Sequence, residues 1–160
     1  MSNEPRQSAV ALAFDRDEWE LIVTLPRRVL LAAVAAAPAD GRRAAEGIAG
    51  IEAIASGLAS TSPLVREVVG SIYSESYHDP DAPHGDADVI TVQTLAACRY
   101  ASEVVASRCG ESDARAFRDW LTHIAAVVTG VAQGVAAPVP GRVGLAESRF
   151  LYALGGVLRP

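Results

Sequence analysis

The side chains best suited to bind a metal or take part in catalysis lie in one polar segment, residues 75–88. This segment, ESYHDPDAPHGDAD, contains two histidines and five acidic residues. Imidazole nitrogens and carboxylate oxygens are ligands for divalent metals such as Zn²⁺ and Mn²⁺. The spacing does not follow a calcium-binding EF-hand, because Pro83 occupies a ligand position and Ile90 stands where the bidentate Glu belongs. The candidate metal ligands are His78, Asp79, His84 and Asp86. The alternative is a solvated surface loop.

The sequence offers no second group of residues with a catalytic pattern. His123 follows Asp119 by four residues, a spacing typical of a helical histidine paired with a carboxylate. A catalytic histidine also needs a positioned reacting partner, and no serine or cysteine nucleophile stands at a fixed offset from it. Phosphate-binding loops, GxSxG elbows and HExxH sequences are absent from the chain. We therefore expect no catalytic residues and a non-catalytic protein.

The two cysteines, Cys98 and Cys109, are eleven residues apart on one predicted helix. That separation is about 16 Å along a helix axis. Disulfide formation requires Cα atoms within about 7 Å of each other. We expect both thiols to be reduced, in agreement with a cytoplasmic protein.

The elements that position these residues are predicted to be helices. Half of the residues are apolar and only 6% are aromatic, with abundant alanine, the best helix former. A stripe of apolar residues with steps of four and three predicts a long central helix over about 113–136. This stripe comprises Phe117, Leu121, Ile124, Val128, Val131 and Val135. The sequence therefore predicts an all-α fold around this helix.

The same reasoning predicts shorter helices on either side of the central one. Their predicted bounds are 15–24, 26–37, 40–58, 63–74, 88–109 and 145–158, with the break between the first two at Pro26. In the third, the expected inward stripe is Ala44, Ile48, Ile51, Ala55 and Leu58. Its glycines, Gly47, Gly50 and Gly57, indicate a closely packed neighbour. We expect a loose N-terminal arm, 1–13, and one domain, 14–160, a bundle of six or seven helices.

Two short segments resemble the helix-opening signatures of the tellurite-resistance TerB-like family. One is Ala39-Asp40-Gly41 followed by Glu46, and the other is the run GRVGLAE at 141–147. The second departs from the family pattern, because Pro140 stands where Asp is expected. The resemblance implies an all-helical fold, a stress-related role and, as in some members, divalent metal bound by acidic residues at these turns. The alternative is that these residues only stabilise helix ends. Asp40 would then cap a helix, and the negative charges of Glu46 and Glu147 would complement the positive N-terminal ends of their helices.

Charge and hydropathy define the expected partners. The net charge is −5 and the basic residues are scattered, so we expect no nucleic acid and no membrane as partner. The favoured function is protein–protein interaction, with an unknown partner or through a homodimer. The predicted dimer surfaces are the helix after Pro26, with Val29, Leu30, Leu31 and Val34, and the last helix. The alternatives are a divalent-metal-binding protein or metal-dependent enzyme using 75–88, and a carrier of a small apolar ligand.

Overall fold

The chain folds into packed helices, as the sequence predicted. The computed structural model describes residues 8–38, 43–74, 77–130 and 144–159, and these contain six α-helices and no strand. The helices are α1 (Arg16–Ala36), α2 (Arg43–Ala55), α3 (Pro63–Ile72), α4 (Ala87–Arg108), α5 (Glu111–Val128) and α6 (Leu145–Leu158). Short 3₁₀ helices cover Ala11–Ala13 and Ser56–Ala59. None of the described helices is long and apolar enough to cross a membrane. The all-α prediction is confirmed.

Helix α1 is one continuous element, so the predicted break at Pro26 is wrong. The helix starts at a capping box in which the Asp15 side chain accepts from the Glu18 amide and the Glu18 side chain accepts from the Asp15 amide. Proline inside a helix costs about 3 kcal/mol, since it removes an N–H and crowds the preceding turn. Leu25 and Val29 flank Pro26 and are fully buried. Burial on both sides of the proline offsets its cost.

Helix α5 is central but shorter than predicted. It begins at Glu111 and ends at Val128, where Gly130 follows with a φ of 75°. Residues 131–136, which include Val131 and Val135, lie outside the described residues. The remaining members of the predicted stripe are buried: Phe117, Leu121, Ile124 and Val128. Helix α5 has 18 residues and is shorter than α4, with 22, and α1, with 21. Both α1 and α5 contact all the other described helices.

Helix α2 is rotated relative to the prediction, and its predicted inward stripe faces outward. Ile48, Ile51 and Leu58 are 61%, 55% and 56% exposed. The buried face instead carries Gly50, Ala53 and Ile54 of α2 and Gly57 of the following 3₁₀ helix. The assignment of the inward face from the larger side chains was therefore wrong.

The glycines explain this orientation. A Cβ atom on Gly50 would lie 2.6 Å from Leu30 Cδ1 and 2.8 Å from Val128 Cγ2. A Cβ atom on Gly57 would lie 2.7 Å from Val69 Cγ2 and 2.9 Å from the indole of Trp120. The missing side chains allow α2 to approach α1 and α5 closely. The predicted close neighbour is confirmed at these two glycines, whereas a Cβ on Gly47 would have nothing within 4 Å.

Helices α3 and α6 agree with their predicted starts. Ser62 caps α3 by accepting from the Val65 amide at 3.3 Å, and Pro63 occupies the first turn. Helix α6 has the predicted bounds and buries Phe150, Leu154 and Leu158. Both helices complete the core around α1 and α5.

Candidate functional site

The predicted metal ligand Asp79 forms an ion pair with α1. Its Oδ2 accepts from Arg28 Nε at 2.9 Å and its Oδ1 accepts from Arg28 Nη2 at 2.5 Å. The Arg28 and Asp79 side chains are only 14% and 10% exposed. A bidentate, charge-assisted pair of this kind fixes both orientation and distance. Asp79 therefore anchors the loop that precedes α4 to the surface of α1.

The other three candidate ligands do not take part in this ion pair. His78 and His84 are exposed, and His84 Nδ1 lies 3.2 Å from the Ala82 carbonyl oxygen. Asp86 caps α4 by accepting from the Val89 amide at 2.9 Å. Among the described residues, no three His, Cys, Asp or Glu side chains are grouped closely enough to hold a metal ion. Metal binding by these residues stays a prediction.

A second contact holds the start of the loop. The guanidinium carbon of Arg27 lies 4.4 Å from the centroid of the Tyr77 ring, a cation–π distance. Burial raises the pKa of the Tyr77 hydroxyl, and the nearby Arg27 charge partly opposes this rise. Two consecutive arginines of α1 thus bind two residues of the loop, Tyr77 and Asp79.

Next to this anchored loop is a groove of about 610 Å³, a size typical of small-molecule pockets. It lies between α1 and α3, and residues of the first 3₁₀ helix and of the loop also line it. Its lining residues are Ser8, Ala11, Arg16, Trp19, Glu20, Val23, Glu67, Gly70, Ser71, Ser74, Tyr77, His78 and Pro80. Sequence reasoning missed this groove. The available signal was the polar and small residues at helical spacing in α3 and just beyond its end, namely Glu67, Gly70, Ser71 and Ser74.

A different surface is formed by the outward face of α2 and the 3₁₀ helix that continues it. We name this surface the α2 stripe and define it as Ala44, Ile48, Ile51, Ala55 and Leu58. Tyr73 borders the stripe, is 51% exposed and has its hydroxyl 3.5 Å from the Ile51 carbonyl oxygen, which accepts its hydrogen bond. Exposed apolar residues that are contiguous at helical spacing typically mark an interaction surface.

The helices predicted to form a dimer place only part of their apolar residues in the core. Val29 in α1 and Leu154 and Leu158 in α6 are buried, so these three side chains are not available to a partner. Leu31 and Tyr152 remain 45% and 86% exposed as single residues on those helices. Each of these helices packs against several neighbours in the bundle, and a dimer interface on them stays a prediction.

The remaining reactive residues have structural surroundings. Cys98 is fully buried, and burial raises the pKa of its thiol to about 12. Burial, followed by the negative charge of Asp113, also raises the pKa of the Cys109 thiol. Neither cysteine forms a disulfide within the described residues. His123 is exposed, and within the described part of the chain no hydrogen bond or ion pair connects it to Asp119.

The segments that carry the family resemblance are described only in part. Residues 39–41 and 141–143 lie outside the described residues. Glu147 is 1% exposed, and its Oε2 accepts from the Gly144 amide at 2.8 Å, a contact that satisfies the start of α6. This contact agrees with the helix-end explanation of Glu147. In comparisons with known proteins, the chain matches no family model, no curated protein and no solved structure.

Proposed function

We propose that this chain is a non-catalytic helical protein that forms a homodimer through the α2 stripe. The observation that carries this proposal is the exposure of three large apolar residues: Ile48 and Ile51 on the outward face of α2, and Leu58 on the 3₁₀ helix that continues it. These residues have no place in the core, because the glycine face of α2 is the one that fits against α1 and α5. A symmetric partner would bury the same face twice.

The spacing of the stripe is that of a helix–helix seam. Its members are separated by steps of four, three, four and three residues, which is the repeat that allows side chains of one helix to fit between those of another. Because the opposite face of α2 is already packed, only one further helix can be seated on the stripe. This favours a dimer with one helix from each copy.

The order of small and large residues favours an antiparallel pair of identical helices. With a two-fold axis at Ile51, Ala44 of one copy faces Leu58 of the other, and Ile48 faces Ala55. Ile48 and Leu58 then each lie opposite an alanine, and only Ile51 meets its own copy on the axis, an arrangement that fills space evenly. A parallel pair in register would instead oppose alanine to alanine and leave gaps. The stripe is therefore complementary to a second copy of itself.

The test is the mass in solution as a function of protein concentration, measured by sedimentation equilibrium. The wild type is expected to approach twice the chain mass of 16.7 kDa. Ile51→Arg places a charge on the two-fold axis and should give a monomer at the same concentration. Val92→Arg is the matched control, since Val92 is 67% exposed on α4 and lies outside the stripe. A monomeric wild type, or an equal effect of both variants, would refute the proposed interface.

A further inference from the structure

We infer that the groove between α1 and α3 binds a small organic cation that carries an aromatic or alkyl group. This binding site is separate from the proposed dimer surface. The groove volume is about 610 Å³, and both apolar and polar side chains line it. Such a mixture, with a few polar groups over an apolar base, is the usual character of a ligand pocket.

The apolar part of the site is formed by Trp19, Val23 and the open backbone at Gly70. Trp19 lies 5.7 Å from Phe14 between ring centroids, which holds its indole in place. A Cβ atom on Gly70 would have no neighbour within 4 Å, so the space beside α3 at this position is open. The groove therefore has room for a flat or linear apolar group next to Trp19 and Val23.

The charges of the lining favour a cation. Arg16 and Glu20 neutralise each other through an ion pair of 3.1 Å. Glu67 lines the groove as well, and no described residue forms an ion pair or hydrogen bond with its carboxylate. One uncompensated negative charge beside an indole suits an ammonium group, which is attracted by the carboxylate and by the electron-rich ring face.

The end of the groove is held in position by contacts outside it. Tyr77 and His78 line the groove, and the flanking contacts of Tyr77 with Arg27 and of Asp79 with Arg28 attach this part of the loop to α1. A wall that is already ordered loses less conformational entropy when a ligand binds. The ion pair of Asp79 therefore supports a preformed site.

The experiment uses the two tryptophans of the chain as an internal comparison. The indole N–H signals of Trp19 and Trp120 are followed by ¹H–¹⁵N correlation spectra during titration with 2-phenylethylamine. The neutral probe 2-phenylethanol and the anionic probe 3-phenylpropanoate are titrated in parallel. The Trp19 signal should move with the amine. The Trp120 signal should stay, because Trp120 is buried and its Nε1 donates to the Ala53 carbonyl at 3.2 Å.

Substitutions locate the site. Gly70→Leu fills the groove and should abolish the shift, whereas Gly156→Leu, at another open helical glycine on α6, should preserve it. Glu67→Gln should lower the affinity for the amine by roughly three- to tenfold. Glu103→Gln on α4 should leave this affinity unchanged. Three results would overturn the inference. They are a Trp19 indole signal that does not shift with the amine, equal shifts with all three probes, and the same amine-induced shift in Gly70→Leu as in the wild type.

Discussion

The glycine face of α2 predicts opposite effects for two neighbouring Gly→Ala substitutions. In both cases alanine gains about 1 kcal/mol of helix propensity over glycine. At Gly47 the added methyl group meets nothing within 4 Å, so Gly47→Ala should raise the free energy of unfolding by up to that amount. At Gly50 the methyl group would lie 2.6 Å from Leu30 Cδ1 and 2.8 Å from Val128 Cγ2, well inside contact distance. Overpacking of this kind costs about 1–3 kcal/mol.

The net expectation for Gly50→Ala is therefore a loss of up to about 2 kcal/mol, and the two variants should differ by about 1–3 kcal/mol. Val128 is stiff at χ1, so it cannot move aside as easily as the end of Leu30. Urea denaturation followed by far-ultraviolet circular dichroism gives the free energy of unfolding for wild type and both variants. If Gly50→Ala were as stable as Gly47→Ala, the close contact of α2 with α1 and α5 would be contradicted.

Three further predictions concern the loop and the core thiol. Asp79→Ala leaves Arg28 buried without its partner and should lower the free energy of unfolding by about 3–5 kcal/mol. Asp81→Ala in the same loop is the control and should change the free energy of unfolding by less than about 0.5 kcal/mol. Equal losses of both variants in urea denaturation would refute the anchoring role of Asp79. Because burial raises the pKa of Cys98 from 9.0 to about 12, the unfolded chain releases this proton first as the pH rises. The free energy of unfolding should thus fall above pH 9 by up to about 1.4 kcal/mol per pH unit, and less steeply in Cys98→Ala. Zn²⁺ or Mn²⁺ should leave the melting temperature unchanged; a rise of several degrees that His78→Ala/His84→Ala removes would contradict this and establish a metal site.

Much of the fold followed from local sequence signals. The apolar stripe of α5, the Ser62-Pro63 start of α3 and the bounds of α6 were all predicted, because each depends on side chains within a few turns of one helix. Pro26 misled the prediction for the opposite reason. Whether a proline breaks a helix depends on the burial of its surroundings, which only the tertiary packing determines.

The candidate sites were harder to predict than the helices. The pattern of α2 identified an apolar stripe, yet the close approach at Gly50 and Gly57 turned that stripe outward. Asp79 was predicted to be a metal ligand from its neighbours in sequence, whereas the structure pairs it with Arg28, which is 51 residues away. Both outcomes depend on contacts between distant segments, which residue spacing alone does not encode.

The most direct test of the proposed dimer is oxidative cross-linking of single cysteines placed in the α2 stripe, with the native Cys98 and Cys109 replaced by alanine. In the antiparallel register, Ile51 of each copy meets at the two-fold axis, so Ile51→Cys should give a covalent dimer under mild oxidation. The two copies of Leu58 would be fourteen residues apart along the pair of helices, about 21 Å, too far for a disulfide. Leu58→Cys should therefore stay monomeric on a non-reducing gel. Equal cross-linking of both variants would contradict the antiparallel register, and the absence of cross-linking in Ile51→Cys would contradict the dimer through the α2 stripe.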